Sequence, residues 1–313
     1  MNLELSIGPE VLPTAISEQR LAAVPRLLWD RFEQEWLALG LPPDLRLTAY
    51  WSLRLMEAGP YDPPQSNAWQ EIPGFRFATF GFLDPETEFN GFGVTVMTVP
   101  SSHSRPPRLP DLVIDGFAFP VVVREVSEIP HAPNVVPSTG STGCWAKSRC
   151  GSPTPVGPGV LTAKHYLGNL GIGASVALSD NTAGTVLDLG PDGIDAAIVW
   201  TSEPAGIIPL STMTLVPPWL DVEFTGQSSG YHQTKVTQIT DTRGVLSSYL
   251  LPSRVFLADY GRGGDSGSLV KLIGQDVAVG IYGGTATDPS GRSEGWAQHA
   301  HQAALVMDME LYA

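Results

Sequence analysis

Three stretches of this chain carry residue types that could together perform acyl transfer. The first is Gly261-Arg262-Gly263-Gly264-Asp265-Ser266-Gly267-Ser268-Leu269-Val270, a serine set between glycines and followed by an apolar pair. Flanking glycines let the backbone turn tightly and leave a carbonyl group room to approach the hydroxyl. The N–H groups of Gly264 and Ser266 could then serve as donors to a developing oxyanion. Alone, Gly264-Asp265-Ser266-Gly267 suits an ordinary turn between strands equally well, so partners elsewhere must decide. A serine hydroxyl is a poor nucleophile at neutral pH and needs a base within hydrogen-bond reach. Of six histidines, His165 has the right setting, at the exit of the apolar stretch Val160-Leu161-Thr162-Ala163. A surface or capping role is the alternative for a single histidine at such a place. The orienting carboxylate has two candidates. Asp192 precedes Gly193 and reads as a turn residue, whereas Asp195 opens the apolar run Ala196-Ala197-Ile198-Val199, where a carboxylate is costly unless paired. Asp195 is therefore preferred.

Taken together, Leu161-Thr162-Ala163-Lys164-His165, Asp195-Ala196-Ala197-Ile198 and Gly264-Asp265-Ser266-Gly267-Ser268 resemble the three catalytic motifs of chymotrypsin/trypsin-fold serine proteases. The order His, Asp, Ser is that family's order and differs from those of subtilisins and α/β-hydrolases. The intervals suit compact bacterial members with short loops. The resemblance runs from about Ile114 to Met307. It implies a mainly β fold of two antiparallel six-stranded barrels, at about 115–205 and 206–313, with the site in the cleft between them. It also implies a triad of His165, Asp195 and Ser266, an oxyanion hole of Gly264 and Ser266, and protein or peptide substrates. By the same resemblance Tyr282, Gly283 and Gly284 would wall the pocket for the residue before the scissile bond, and Tyr260 would form its floor. Trypsins have Asp at the floor, so a basic preference is not expected. His299 and His301 are placed near the pocket walls as candidate partners for an acidic side chain. Thr225-Gly226-Gln227-Ser228-Ser229-Gly230 is similar to a Gly-rich hairpin of bacterial trypsin-like proteases. Two departures stand out: no Ile-Val-Gly-Gly start precedes the first barrel, and Tyr166 replaces the cysteine usual beside the histidine. Activation by a new N-terminus is thus not expected, and Asp265 must find another partner or none.

The elements that position these residues are legible in part. Apolar positions at helical spacing predict a helix over Ser17–Leu39, stopped by Gly40 and Pro42-Pro43, with Pro25 as its start or a kink. Leu45–Leu55 reads as either strand or helix. Phe75–Phe82 and Gly93–Val99 read as strands around the turn Asp84-Pro85-Glu86-Thr87, and Pro100–Pro110 reads as a linker holding a solvated His103. Beyond Pro110 the texture is almost all short strands: Phe119–Val126, Gly159–Thr162, Thr185–Leu189, Ala196–Thr201, Leu220–Thr225, Thr234–Thr240, Val245–Leu251, Val255–Ala258, Gly267–Leu272, Val277–Gly283 and Ala303–Met307. The expected organisation is an α+β N-terminal region over 1–110, open to a regulatory partner, and a protease domain over 111–313.

Composition excludes several function classes. A length of 313 residues calls for two cores. The net charge of -14 argues against nucleic acid or an anionic membrane as partner. No apolar run reaches the roughly 18 residues of a membrane span, and Met1-Asn2-Leu3-Glu4 lacks a basic leader region, so a soluble, cytoplasmic protein is expected. Cys144 and Cys150 are expected as free thiols there, with a small disulfide loop as the alternative under export. No metal or organic cofactor is called for. Three functions remain: a serine endopeptidase, regulated and with few targets; a catalytically latent protease-fold binding or scaffold module; or esterase-type acyl transfer on the same triad.

Overall fold

The computed structural model describes residues 26–58, 69, 72–83, 91–99, 109–129, 144–149, 159–177, 183–201, 208–240 and 254–313. Two helices come first, α1 (Arg26–Leu39) and α2 (Pro43–Ala58). The described part of α1 starts directly after Pro25, and the expected Ser17–Val24 portion lies outside the described residues. Gly40 ends α1 with φ +61°, and Pro43 occupies the first turn of α2, where its missing N–H is harmless. The ambiguous Leu45–Leu55 is thus helical. It is buried on more than one side, with Leu45, Tyr50, Trp51, Leu53 and Leu55 almost wholly enclosed, which hides the amphipathic period that would have identified it.

β1 (Phe75–Phe82) and β2 (Phe92–Thr98) pair antiparallel; the turn expected at Asp84–Thr87 lies outside the described residues, as do the linker and His103. β3 (Leu112–Ile114) and β4 (Phe117–Phe119) form a hairpin about Asp115 and Gly116, both at positive φ, the conformation of a type I′ turn. β5 (Val121–Glu125) lies parallel to β2, and β6 (Ser127–Ile129) follows. Next come β7 (Cys144–Ser148), β8 (Gly159–Thr162), a 3-10 turn (Lys164–Leu167), β9 (Ser175–Ala177), β10 (Ala183–Leu189) and β11 (Ala197–Trp200). The remainder is β12 (Ser211–Thr212), β13 (Asp221–Gly226), β14 (Gly230–Thr240), β15 (Arg254–Leu257), β16 (Leu269–Leu272), β17 (Val277–Thr287), β18 (Ser293–His299), α3 (Ala300–Val306) and β19 (Met309–Tyr312). The strand expected at Val245–Leu251 lies outside the described residues.

The fold is mainly β and builds two antiparallel systems. One is a six-stranded sheet in the order β19-β7-β8-β11-β10-β9. In the other, β13-β16-β17-β18-β15-β14 returns to β13 and so closes as a six-stranded barrel. The expected strand Ala303–Met307 is instead α3: Ala300, Ala303 and Ala304 bury at helical spacing in a core shared with Ile281 and Leu161, and alanine is the best helix former. The expected strand Phe119–Val126 does not enter the first sheet. Its residues form β5, which extends the second system through β14-β1-β2-β5. The first sheet starts only at Cys144 and takes its last strand from Met309–Tyr312.

Hydrogen bonding therefore runs straight through residue 110. β1 pairs with the end of β14, Thr79 opposite Thr240. Buried Gln238 donates to Phe82 O and Thr95 Oγ1 and accepts from Thr79 Oγ1. Trp29, Phe32, Tyr50 and Trp51 share one core with Leu215, ahead of β13, and with Phe224, Val236 and Tyr282 of the closed barrel. Thr48 donates to Pro218 O, and Glu35 accepts from the Thr214 N–H and hydroxyl. Each fully buried aromatic of this kind contributes about 1.5–3 kcal/mol, so the helices are part of the barrel's core and not a detachable appendage.

Candidate active site

β8 ends at Thr162, and the 3-10 turn that follows swings His165 out of the first sheet. Tyr166 N–H donates to Ala163 O and Gly168 N–H to His165 O, which fixes the backbone there. Asp195 sits just before β11, next to β8 in the sheet. The neighbouring pair of strands thus sets the spacing of the two side chains. Asp195 Oδ2 lies 2.6 Å from His165 Nδ1, and its Oδ1 accepts the His165 N–H at 2.8 Å. A carboxylate only accepts, so Nδ1 carries the proton and Nε2 presents a lone pair. Nε2 stands 3.1 Å from Ser266 Oγ. The other aspartate candidate, Asp192, is exposed on the turn, and Asp195 is the one brought to the histidine.

Burial pushes the Asp195 carboxyl upward, but the His165 side-chain and backbone hydrogen bonds, with the charges of His165 and Arg254, outweigh it and hold it below the usual carboxylate range. Asp195 also gives its N–H to Gln298 Oε1, 3.0 Å away on β18. That amide ties the two barrels together at the triad.

Ser266 comes from the second barrel, on the turn before β16. Asp265 N–H donates to Arg262 O, and Gly264, at the third position of that turn, has φ +100°. A positive φ there is the mark of a type II turn and suits glycine alone. Gly267 also has a positive φ, and its N–H reaches Tyr282 O at 2.7 Å. The partner of Asp265, left open by the sequence, is a backbone cradle. Its buried carboxylate accepts the N–H groups of Ser228 and Ser229 at 2.7 and 3.2 Å and of Arg262 at 2.6 Å. The hairpin Thr225–Gly230 is one wall of this cradle. A Cβ on Gly226 or Gly261 would lie 2.3 or 2.5 Å from the carboxylate, which is why both walls are glycine.

The pocket residues divide. Gly283 O lies 3.2 Å from Ser266 Oγ, so Gly283 and its neighbour Gly284 flank the nucleophile. Gly283 lies flat on the Trp296 indole, where any Cβ would come within 2.1 Å of the ring. Tyr282 is wholly buried, stacked on Phe224 at 4.9 Å, its hydroxyl accepting the Gly261 N–H and pushed up to about 12 by burial. Tyr260 is 47% exposed and makes no enclosed floor. Its N–H turns back to Asp259 Oδ1. His299 and His301 hydrogen-bond Met213 O and Thr212 Oγ1. That places their rings against the segment beside the opposite end of β17 from Gly284. His301 is held low, at about 4, by burial and by the charges of Arg31 and Arg149. Sequence reasoning missed Gln298, Trp296 and the Ser228–Ser229 amides; of these only the glycines of the hairpin left a trace.

No family model and no curated protein matches the chain. Among solved structures, similarity is found to Nocardiopsis protease (NAPase), at TM-score 0.40 and 17% identity over 57% of this chain and 100% of that one. Thermobifida fusca Protease A matches at TM-score 0.41 and 18% identity over 55% and 90%. A glutamic acid specific serine protease matches at 0.40 and 19% over 54% and 91%. These are chymotrypsin-fold serine proteases. The likeness is to roughly half of the chain, and it is the triad geometry above, not the likeness, that bears on chemistry.

Proposed function

We propose that this chain is a serine endopeptidase that cleaves protein or peptide substrates through an acyl-enzyme on Ser266. The observation that carries the reading is the unbroken line Asp195 Oδ2, His165 Nδ1, His165 Nε2, Ser266 Oγ, drawn from two separate sheets. Three side chains far apart in sequence do not converge in this order without constraint on each.

In the first step His165 Nε2 takes the proton as Ser266 Oγ bonds to the scissile carbonyl carbon. The same nitrogen then gives that proton to the leaving amine. Asp195 holds the tautomer and stabilises the imidazolium. The N–H groups of Gly264 and Ser266 serve as oxyanion donors, each contributing about 3–4 kcal/mol to the transition state. Water, activated by His165 in turn, releases the acyl group. The Asp265 cradle supports this reading, because it fixes the turn from its neighbour without any new chain terminus.

We propose further that the enzyme works in the cytoplasm, which the buried free thiol of Cys144 supports, and on few targets. The test is labelling with a small alkyl fluorophosphonate and mapping by mass spectrometry. One adduct is expected on Ser266, and none on Ser266→Ala. Absence of the adduct from the wild type would favour a latent binding module instead.

A further inference from the structure

The strand that carries Gly283 has one edge that is already shared. Over Thr285–Thr287, one side of β17 pairs with β18, Thr285 opposite Gly295 and Thr287 opposite Ser293. β6 pairs antiparallel with the same three residues, Thr285 opposite Ile129, Ala286 opposite Glu128 and Thr287 opposite Ser127. A strand has two edges, so β6 must lie on the one that β16 uses lower down, where Leu269 faces Ile281 and Val270 faces Gly280. Between β16 and β6 that edge holds Tyr282, Gly283 and Gly284. Tyr282 is taken by Gly267 and Ser268, whose N–H and carbonyl it pairs with. Ser266 Oγ stands at Gly283 O.

A peptide attacked by Ser266 would add to this edge as a β-strand, its acylated residue opposite Gly283. Its next residue upstream would face Gly284, and its third would face Thr285. Ile129 already occupies that third seat, with Glu128 and Ser127 in the fourth and fifth. The polarity also agrees, since β6 runs antiparallel to β17 and heads from Thr287 toward Gly283. The strand is firmly rooted. Arg124, just ahead of it, pairs with Glu294 at 2.8 Å and Asp288 at 3.3 Å. Val126 is buried with Met97, Phe256, Ala286 and Trp296.

We propose that β6 is a resident strand in the acyl-side substrate seat, filling the third to fifth positions from the scissile bond. This rests on the protease reading above and adds regulation to it. While β6 is seated, the site reads only two residues on the acyl side, and a longer extended peptide must first displace it. The chain thereby restrains its own cleft without blocking the nucleophile.

The experiment compares two peptidyl diphenyl phosphonates with the same two residues next to phosphorus, one carrying those two alone and one carrying four residues. In the wild type the two should label Ser266 at rates within about twofold, since the outer strand bonds are unavailable. The double variant Glu128→Pro/Ile129→Pro unseats β6, because one of two successive N–H groups on a strand must face its partner and proline removes it. In that variant the four-residue probe should react about tenfold faster, the gain expected from two or three restored strand hydrogen bonds, while the two-residue rate holds. A tenfold preference for the longer probe already present in the wild type would overturn the proposal. So would rapid amide exchange at Thr285–Thr287 in the unliganded wild type, a measurement that does not depend on the variant folding. Failure of both probes to label wild-type Ser266 would instead overturn the protease reading itself.

Discussion

Among the described residues there are two Ser-His-Asp arrangements, and they differ in what surrounds the serine. In the second, His232 Nδ1 lies 2.8 Å from Asp259 Oδ2 and Nε2 lies 2.6 Å from Ser229 Oγ. On distance alone its serine is closer to the histidine than Ser266 is to His165. The surroundings differ in every other respect. Ser229 is three residues from His232 on one hairpin, whereas Ser266 and His165 come from different sheets. The Asp259 side chain is 49% exposed against 16% for Asp195, so its attraction for the histidine is weakened by solvent. Ser266 stands between two glycines at positive φ and beside the strand edge at Gly283, while Ser229 faces no such edge and spends its N–H on Asp265. The His232 ring lies flat on Phe224 at 4.6 Å and 5°, and Phe224 on Tyr282. The second cluster is a brace for the cradle hairpin. Three side chains in a row are therefore not a catalytic site; donors for the oxyanion and a seat for the acyl group must converge on the serine as well.

Exchanging each histidine for glutamine separates the two clusters most widely. His165→Gln should lower kcat/KM on a peptide ester by about a thousandfold or more, whereas His232→Gln should stay within about tenfold; equal losses would mean that the second cluster takes part in the chemistry. A smaller effect is expected at the hairpin they share. Gly226→Ala puts a Cβ against the Asp265 carboxylate, and labelling of Ser266 should slow by about a hundredfold as the turn shifts. Gly230→Ala, with open space around it and φ +82°, should cost only about 1–2 kcal/mol of stability and leave the labelling rate near that of the wild type. The smallest effect is on acid stability. The Asp195 carboxyl titrates lower in the folded chain than in the unfolded one, so its stabilising contribution is complete above about pH 4. It disappears as pH falls through the folded value. Urea midpoints from pH 5 down to pH 2 should therefore drop less steeply for Asp195→Asn than for the wild type, and parallel curves would remove the ion pair from the account.

The triad was legible because each of its members carries a local signature: glycines around Ser266, a small-residue strand exit before His165, and an isolated carboxylate opening an apolar run at Asp195. The closed barrel was expected from the resemblance that the three motifs carry, since short strands broken by turn residues suit a sandwich as well as a barrel. What stayed hidden is nonlocal or made of backbone. The Ser228–Ser229 amides that hold Asp265 have no residue-type signal, and the seat of β6 depends on a partner strand more than 150 positions away. Tyr260 was placed by counting back from the serine, and a count carries no information on how exposed the residue ends up. α3 was missed because a run of alanines and small apolar residues satisfies a strand pattern as easily as a helix one until its neighbours are known.

β19 gives the first sheet its edge by pairing Met309–Tyr312 with Trp145–Ser148, and the helices at 26–58 find their core in residues beyond 213. Both ends of the described chain are therefore needed before either barrel has its full set of neighbours. Contacts of such sequence separation slow folding. During synthesis the residues of the triad are all made before the strand that completes the sheet behind His165. A nascent chain thus carries His165, Asp195 and Ser266 before β19 is made, and so before the sheet behind His165 has its edge strand.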